Sequence, residues 1–335
     1  MTEHQDQTPQ PGNAEEQELM VTAGDAPAGR AGHEPAYAVS RRRFLRTAGG
    51  AAAVGVAAAG AITWMATRGF GPEPPVEPVS ELVAGFHDGP LPDDPIDDVW
   101  TRRPPVVVAM LAQQMATPML AEAVLEEMRL RALHNGDEIA FHVEWDDDEI
   151  DDLDAMARFR DSLAVQLPVR PDVSTPITMG GPEMPVHILH WKASWQRQLE
   201  HGERRIRDAF PYAVNEVTPE DMMGEEAARV FYPALYVGNL AAERNRTTCV
   251  EELVAEGFGT LTTQELQRAQ GTGVHADGRW QVVIRAPLAG DETHATVRPG
   301  TPTQVALACW DGGHDNRGAR KHWSNWLAMD VEGVA

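Results

Sequence analysis

Short runs of apolar residues, separated by turn residues, fill the chain from about residue 99 onward. Runs rich in Val, Ile, Leu and Trp with such spacing predict short β-strands. Between two of them, Asn135-Gly136-Asp137 predicts a hairpin turn, because Asn and Gly tolerate positive φ. Many short strands with irregular connections favour a mainly β fold, an antiparallel β-sandwich with short helical insertions. The predicted strands span residues 106–111, 128–133, 138–145, 185–195, 280–286 and 304–310.

The predicted strand 185–195 carries an unusual set of side chains. Alternation puts Val186, Ile188, His190 and Lys192 on one face and their neighbours on the other. A Gly/Pro turn with Met179 at its start precedes the strand, so residues 179–193 hold a thioether, two imidazoles and an amine. All are possible ligands of a soft or borderline metal. Taken alone, such a methionine most often packs in a core and such a lysine is seldom a ligand.

Helical signals are few. Thr218-Pro219-Glu220-Asp221 has a capping residue, a proline at the first helical position and acids in the first turn, which predicts a short helix to Arg229. Residues 194–210 are rich in Arg, Gln and Glu and predict either a second polar helix or an excursion from the sandwich.

The N-terminal part divides into three segments. Residues 1–39 lack an apolar period and are expected to be disordered. Residues 40–68 are expected to be a twin-arginine signal or an anchor, because Ser-Arg-Arg-Arg-Phe-Leu-Arg at 40–46 precedes a weakly apolar run. No clear cleavage site follows, so membrane contact through residues 48–66 stays open. Residues 69–98 are rich in Pro and Asp and predict a linker, which leaves one domain at 99–335.

Charge and cysteine content exclude several classes of protein. A formal net charge of −23 argues against a nucleic-acid partner. Residues 146–154 are acidic but lack the spacing of a calcium loop, so a solvated acidic turn is expected. Cys249 and Cys309 are the only cysteines and could form a disulfide if the protein is exported. The sequence contains no Cys-x-x-Cys-His motif, which excludes a covalent c-type haem. It also contains no motif that specifies a catalytic nucleophile.

Several motifs occur together in the order of a known family. Their order resembles that of the haem b γ subunits of the ethylbenzene dehydrogenase group, which belong to periplasmic complex iron-sulfur molybdoenzymes. The resemblance covers roughly residues 100–327. The motifs are Asn-Gly-Asp-Glu-Ile-Ala-Phe at 135–141, Phe-Arg-Asp-Ser-Leu-Ala-Val-Gln-Leu-Pro at 159–168, Met-Gly at 179–180, His-Trp-Lys-Ala at 190–193, Glu-Gly-Phe-Gly-Thr-Leu-Thr at 256–262, Gly-Arg-Trp-Gln-Val-Val at 278–283, Val-Ala-Leu-Ala-Cys-Trp-Asp-Gly at 305–312 and Lys-His-Trp-Ser-Asn-Trp at 321–326.

The resemblance implies one non-covalent haem b with a methionine and a lysine as axial ligands. By motif these ligands are Met179 and Lys192, and His190 is the first substitute for the lysine. Lysine binds iron only as a neutral amine, which costs about 4.6 kcal/mol at pH 7 from an ordinary pKa. Met184 is the alternative thioether. Arg317 and Lys321, with their neighbour Arg320, could pair with haem propionates or form a basic surface loop.

The function implied by the resemblance is electron transfer rather than catalysis. The expected partners are an iron–sulfur subunit, a molybdenum-containing catalytic subunit and an external cytochrome or membrane redox partner. Export by the twin-arginine route would place the chain in the periplasm or on the outer face of the membrane. The alternative is a haem-free ligand-binding or scaffold β-sandwich of an exported complex.

Overall fold

A computed structural model describes residues 82–334, apart from residues 172, 203–209, 214–223, 225–229 and 231. The predicted tail, the twin-arginine segment and residues 69–81 lie outside the described residues. So does the predicted helix from Thr218 to Arg229, except for Gly224. Within the described part of the chain, no helix is long and apolar enough to cross a bilayer.

Fourteen strands and a few short helical segments make up the described part of the chain. Helix α1 spans Ala193–His201 and helix α2 spans Pro233–Tyr236, with 3₁₀ turns at Asp98–Arg102 and Leu240–Ala242. The strands are β1 Leu82–Phe86, β2 Val106–Ala109, β3 Leu111–Ala112, β4 Glu127–His134, β5 Glu138–Asp146, β6 Ser162–Pro168, β7 Val186–Lys192, β8 Val250–Ala255, β9 Thr262–Thr263, β10 Gln270–Ala276, β11 Arg279–Pro287, β12 Thr303–Trp310, β13 His322–Trp323 and β14 Leu327–Val331.

The strands form one curled sheet whose two halves pack face to face. The first layer has the order β10-β11-β5-β4-β1-β14, and the second has the order β12-β6-β7-β8-β9. Strand β12 joins the layers, because Thr303–Val305 pairs with β14 whereas Ala306–Trp310 pairs with β6. The predicted mainly β sandwich is confirmed. Its pairing is antiparallel except at β1, which lies parallel to both β4 and β14.

The core between the layers is built around three tryptophans. Trp191 of β7 lies 6.2 Å from Trp145 of β5 and 5.1 Å from Trp280 of β11, measured between ring centroids. Burial of such large aromatic surfaces supplies much of the driving force for packing one layer on the other. Cys249 and Cys309 lie in this core as free thiols. The disulfide that the sequence left open is therefore not formed in the structure.

Three local differences from the predicted elements have physical reasons. The sheet begins earlier than the predicted domain, because β1, within the stretch assigned to the linker, finds pairing partners on both sides. Strand 185–195 ends at Lys192, since the chain turns there into helix α1. The run 106–111 divides at Met110, with one part on the first layer and the other on the second. The predicted hairpin at Gly136, whose φ is 96°, is confirmed.

Candidate functional site

A cavity of about 540 Å³ opens on the outer face of the second layer. Its floor has small side chains at the centre, because Ala164 of β6 and Ala306 and Ala308 of β12 face it, with Gln166 beside Ala306. In register with them, β7 contributes Ile188 and His190. A floor with small apolar side chains at its centre, bordered by larger ones, is suited to a flat apolar ligand.

Loops form the walls of this cavity. They are residues 113–117, 177–179, 258–261 and 316–321. Met115, Phe258 and Leu261 line the cavity and are about half exposed, at 52%, 52% and 48%, so they lie at its mouth. None of these three was singled out from the sequence, because their loops have no periodic pattern. Only the fold brings them to one place.

His190 faces the cavity as the alternation in β7 predicts. Its Nε2 atom is buried and has no hydrogen-bond partner, and its ring centroid lies 4.8 Å from that of Trp310. Burial lowers the pKa of His190 well below its usual value, and the nearby charges of Lys192, Arg160 and Lys321 lower it further. A neutral imidazole can present a free lone pair, which makes His190 a competent ligand.

Lys192 lies two residues after His190, on the same face and at the end of β7. Its amine contacts the carboxylate of Glu251 and lies 3.7 Å from the ring centroid of Trp195. The side chain is buried but does not line the cavity. Burial lowers the pKa of Lys192 to about 8, against the opposing effect of Glu251. The neutral amine is therefore formed at a much lower free-energy cost at pH 7 than it would be for an exposed lysine.

Met179 lines the cavity near the opposite end of β7. Its φ of 65° is left-handed, and its carbonyl accepts a hydrogen bond from Gly257 N at 2.7 Å. The next residue, Gly180, has no room for a side chain, because an added Cβ would lie 2.5 Å from the carbonyl oxygen of Met184. This turn packs against Val186, at the start of β7.

Strand register therefore separates the two predicted axial ligands. Met179 lies beside the first residue of β7 and Lys192 is the last, which is about 20 Å at 3.3 Å per residue. The structure does not bring this pair together at one point. His190 is two residues nearer to Met179. Met115 is a second thioether, and it lies toward the Lys192 end, because Gln113 N donates to the carbonyl of Lys321.

The predicted cationic residues border the same cavity. Lys321 lines it, with its amine 4.9 Å from the ring centroid of Trp310, and burial lowers the pKa of Lys321 to about 8. No carboxylate of the described residues forms an ion pair with this amine. Arg317 is exposed at the edge, where its guanidinium lies 4.3 Å from the Phe159 ring centroid. The Nε atom of Arg320 is buried without a hydrogen-bond partner, but Arg320 does not line the cavity.

A second cluster of potential ligands lies at His187, Glu252 and His294, all buried. Ala295 N donates to His187 Nδ1 at 3.2 Å, so a neutral His187 carries its proton on Nε2, which lies 3.2 Å from Glu252 Oε1. His294 has Asp291 at one ring nitrogen and the carbonyl of Leu266 at the other. Both His294 nitrogens thus face acceptors. The contacts are those of a proton-linked network rather than of a metal site.

The acidic turn is only partly solvated. Asp146, Asp148 and Glu149 are exposed, whereas Asp147 is half-buried and approaches Asp161 and Asp311. Burial raises the pKa of Asp161 to about 8 and that of Asp147 to about 6; repulsion from Asp147 adds to the first shift and repulsion from Asp311 adds to the second. Asp161 accepts hydrogen bonds from Trp280 Nε1 at 3.0 Å and from Gly312 N at 2.9 Å. Its chemistry is that of a structural carboxyl group shared between loops.

The fold and the cavity define a β-sandwich with a ligand site on the outer face of one layer. A sequence model described as ethylbenzene dehydrogenase matches residues 97–322 of the chain. The chain belongs to the ethylbenzene dehydrogenase family, as its motifs predict.

Two curated relatives agree with that assignment. One is ORF7 of Haloferax mediterranei, provisionally named a respiratory nitrate reductase heme subunit, 24% identical over 70% of this chain and 67% of its own. Another is the chlorate reductase subunit gamma of Ideonella dechloratans, 22% identical over 81% of this chain and 91% of its own.

Solved structures give a weaker likeness. Two structures of a family 9 carbohydrate-binding module from Caldicellulosiruptor kristjanssonii, with glucose and with cellotriose, superpose with TM-scores of 0.36 and 0.35. The sequence identities are 9% and 8%, and each match covers 76% of this chain and 96% or 94% of the other. Likeness at this level supports no functional argument.

Proposed function

We propose that this chain is an electron-transfer subunit that binds one non-covalent haem b in the cavity on the second layer. The observation that carries the proposal is the pairing of Ala164 and Ala308, at the centre of the cavity floor, with His190, whose buried Nε2 has no hydrogen-bond partner. The residues present fit the group: the centre of the floor carries small apolar side chains, a nitrogen base and thioethers line the cavity, and cations border it. The name of the Haloferax relative is that of a heme subunit, and the names of both relatives are those of reductase subunits, which supports the proposal.

When bound, a haem b supplies a one-electron redox centre. The side chains of this chain would hold it and set its surroundings. Two protein ligands leave no open position for oxygen chemistry, and a thioether ligand favours the reduced state. Ala164 and Ala308 would permit its close approach to the floor, while Trp310 and Ile188, which also line the cavity, would exclude water from it. Arg317 and Lys321 are proposed partners for propionate groups.

The axial ligands are proposed to be one thioether and one nitrogen base of β7. The predicted pair is Met179 and Lys192, with His190 as the substitute for the lysine. These candidate ligands lie at different positions along β7, so the choice of the thioether depends on the choice of the nitrogen base. A ligating Lys192 would favour Met115 as the thioether, whereas a ligating Met179 would favour His190.

The partners and the location are proposed from the same resemblance. An iron–sulfur subunit and a molybdenum-containing catalytic subunit would exchange electrons with this chain, and an external cytochrome or membrane redox partner would complete the route. Residues 40–46 would direct export by the twin-arginine route to the periplasmic side. Purification of the native complex and identification of its subunits test these partners, and recovery of the chain alone would contradict them.

An absorption spectrum of the purified full chain tests the function. We expect a Soret band and sharp α and β bands on reduction, because two protein ligands give a low-spin iron. A chain that shows no such bands after reconstitution with haem would instead be the haem-free scaffold or ligand-binding subunit.

Single substitutions test the ligand pairs. Met179→Leu, Met115→Leu, His190→Ala and Lys192→Leu are compared in the ferric and ferrous states, and a true ligand is identified by conversion from a low-spin to a high-spin spectrum. Met119→Leu is a matched control, because Met119 is an exposed thioether that does not line the cavity. An unchanged spectrum in both the Met179 and Lys192 variants would reject the predicted pair.

A further inference from the structure

Cations collect at one end of the cavity. Arg160 and Lys321 line it, and both act on the pKa of His190 through their charge, as does Lys192. The strand register puts this end beyond Ser162, Lys192 and Trp310, which are aligned on β6, β7 and β12. The opposite end, near Phe258 and Leu261, is apolar. The cavity is therefore polarised along the strands.

The anions at the cationic end do not balance the cations. Glu251 contacts Lys192, and Asp154 accepts a hydrogen bond from Arg160 Nη1 at 2.6 Å. Asp154 also accepts from the Ser194 hydroxyl at 2.7 Å, so its charge is shared. Lys321 has no ion pair with the described residues. An excess of positive charge inside a chain of net charge −23 indicates that a ligand supplies the missing anions.

Arg160 is the residue best placed to receive such a ligand. Its side chain is 28% exposed, and its Nε atom is buried without a hydrogen-bond partner. A guanidinium carries five N–H donors in a planar fork that suits a carboxylate. Asp154 fixes one edge of this fork, and Nε has no acceptor among the described residues. Arg160 was not singled out from the sequence, where it appeared only inside a longer motif.

We infer that Arg160, together with Lys321, binds the paired carboxylates of the cavity ligand and so fixes which end of the ligand enters first. This inference rests on the proposed function and names the residue that orients its cofactor. The ligand class is a flat apolar dicarboxylate. Its carboxylate edge lies toward Arg160, and its apolar edge lies toward Phe258 and Leu261 at the cavity mouth.

The test compares two porphyrins that differ only in those carboxylates. The full-length chain, prepared without haem, is titrated with iron protoporphyrin IX and with its dimethyl ester, and binding is followed by the Soret absorbance. We expect the wild type to bind the diacid at least about ten-fold more tightly than the ester, because a charge-assisted hydrogen bond is lost in the ester.

Substitution of Arg160 should remove that preference. In Arg160→Gln the affinity for the diacid falls at least about ten-fold while that for the ester is unchanged. Arg158→Gln is the matched control. It removes the same charge two residues away in sequence, and the Arg158 side chain is exposed and does not line the cavity. The comparison of diacid with ester uses the wild-type chain alone. It therefore still tests carboxylate recognition if a variant fails to fold.

The outcomes separate this inference from the proposed function. Equal binding of both porphyrins by the wild type, or an acid preference that persists in Arg160→Gln, overturns the role of Arg160 and leaves haem binding intact. Equal losses in Arg158→Gln and Arg160→Gln also overturn it, because the effect would then be general electrostatics. Binding of neither porphyrin overturns both proposals.

Discussion

The two faces of the second layer are made by the same strands but have opposite contents. The inner face carries Leu163, Val165 and Trp191, which are completely buried against the first layer. The outer face carries Ala164 and Ala308 between those positions, and these leave a cavity rather than a filled surface. The difference shows that this layer is stabilised by one face and equipped for ligand binding by the other. The period of two in a strand makes such a separation possible.

Buried titratable side chains occur on both faces but in different settings. On the outer face, His190 and Lys192 lie beside the cavity and Lys321 borders it, and burial is the main cause that lowers the pKa of each. The inner face buries thiols, indoles and also His187, whose Nε2 lies 3.2 Å from the carboxylate of Glu252. The inner-face histidine thus has a carboxylate partner within the chain, whereas the groups at the cavity can be compensated by a ligand.

Truncation of the inner face should have the largest effect on stability. Trp191 is 0% exposed and contacts both other core tryptophans, so Trp191→Ala leaves a large void. We expect a loss of about 3–5 kcal/mol in the free energy of unfolding. Urea denaturation followed by circular dichroism measures it. A loss below about 1 kcal/mol would show that the layers do not depend on this core.

Enlargement of the outer face should affect binding instead. Ala164→Leu adds three carbons to the cavity floor, where a flat ligand would have to lie. We expect at least about a 100-fold loss of haem affinity, which corresponds to about 2.7 kcal/mol, with a change in unfolding free energy within about 1 kcal/mol. Soret titration and denaturation of the same preparation report the two quantities. An unchanged haem affinity would show that haem does not bind on this face.

Removal of an uncompensated charge should stabilise the haem-free chain at neutral pH. The folded pKa of Lys321 is about 8, below the ordinary value of 10.5, so the unfolded chain binds more protons between these values. Stability therefore rises with pH across that range, and the penalty is complete below pH 8. We expect Lys321→Met to gain about 1–3 kcal/mol at pH 7 and nothing above about pH 10.5. A pH-independent difference would assign the effect to packing.

About half of the described strands could be predicted from local pattern. Ile139, Phe141, Val143 and Trp145 alternate with other side chains, and β5 was predicted for that reason. Strand β10 was not predicted, because Gly271 and Gly273 interrupt its pattern. Those glycines are required by tertiary contact, since a Cβ on Gly273 would lie 2.6 Å from Trp191 Cζ2. Such a constraint cannot be read from neighbouring residues.

The candidate site could be predicted only in part. His190 was placed correctly on the cavity face by alternation alone, and the family motifs led to Met179, Lys192 and Lys321. Met115 and Arg160 were not identified, because a loop residue reaches a site through the path of its loop and not through a period. The distance between Met179 and Lys192 could not be predicted from the sequence either. The two residues are close in sequence, but the extended strand β7 lies between them.

The smallest expected effect concerns the thiols of the inner face, and it tests whether that face stays closed. Cys249 and Cys309 are buried, and burial raises the pKa of Cys249 to about 12 and that of Cys309 well above its ordinary value. Thiolate is the reactive form, so a disulfide exchange reagent should label neither cysteine in the native chain and both after unfolding. Ala308→Cys places a thiol one residue away on the cavity floor, where we expect rapid labelling that haem prevents. Labelling of Cys309 at the rate of the engineered thiol would mean that the two faces are equally open, and the division between packing and binding would then fail.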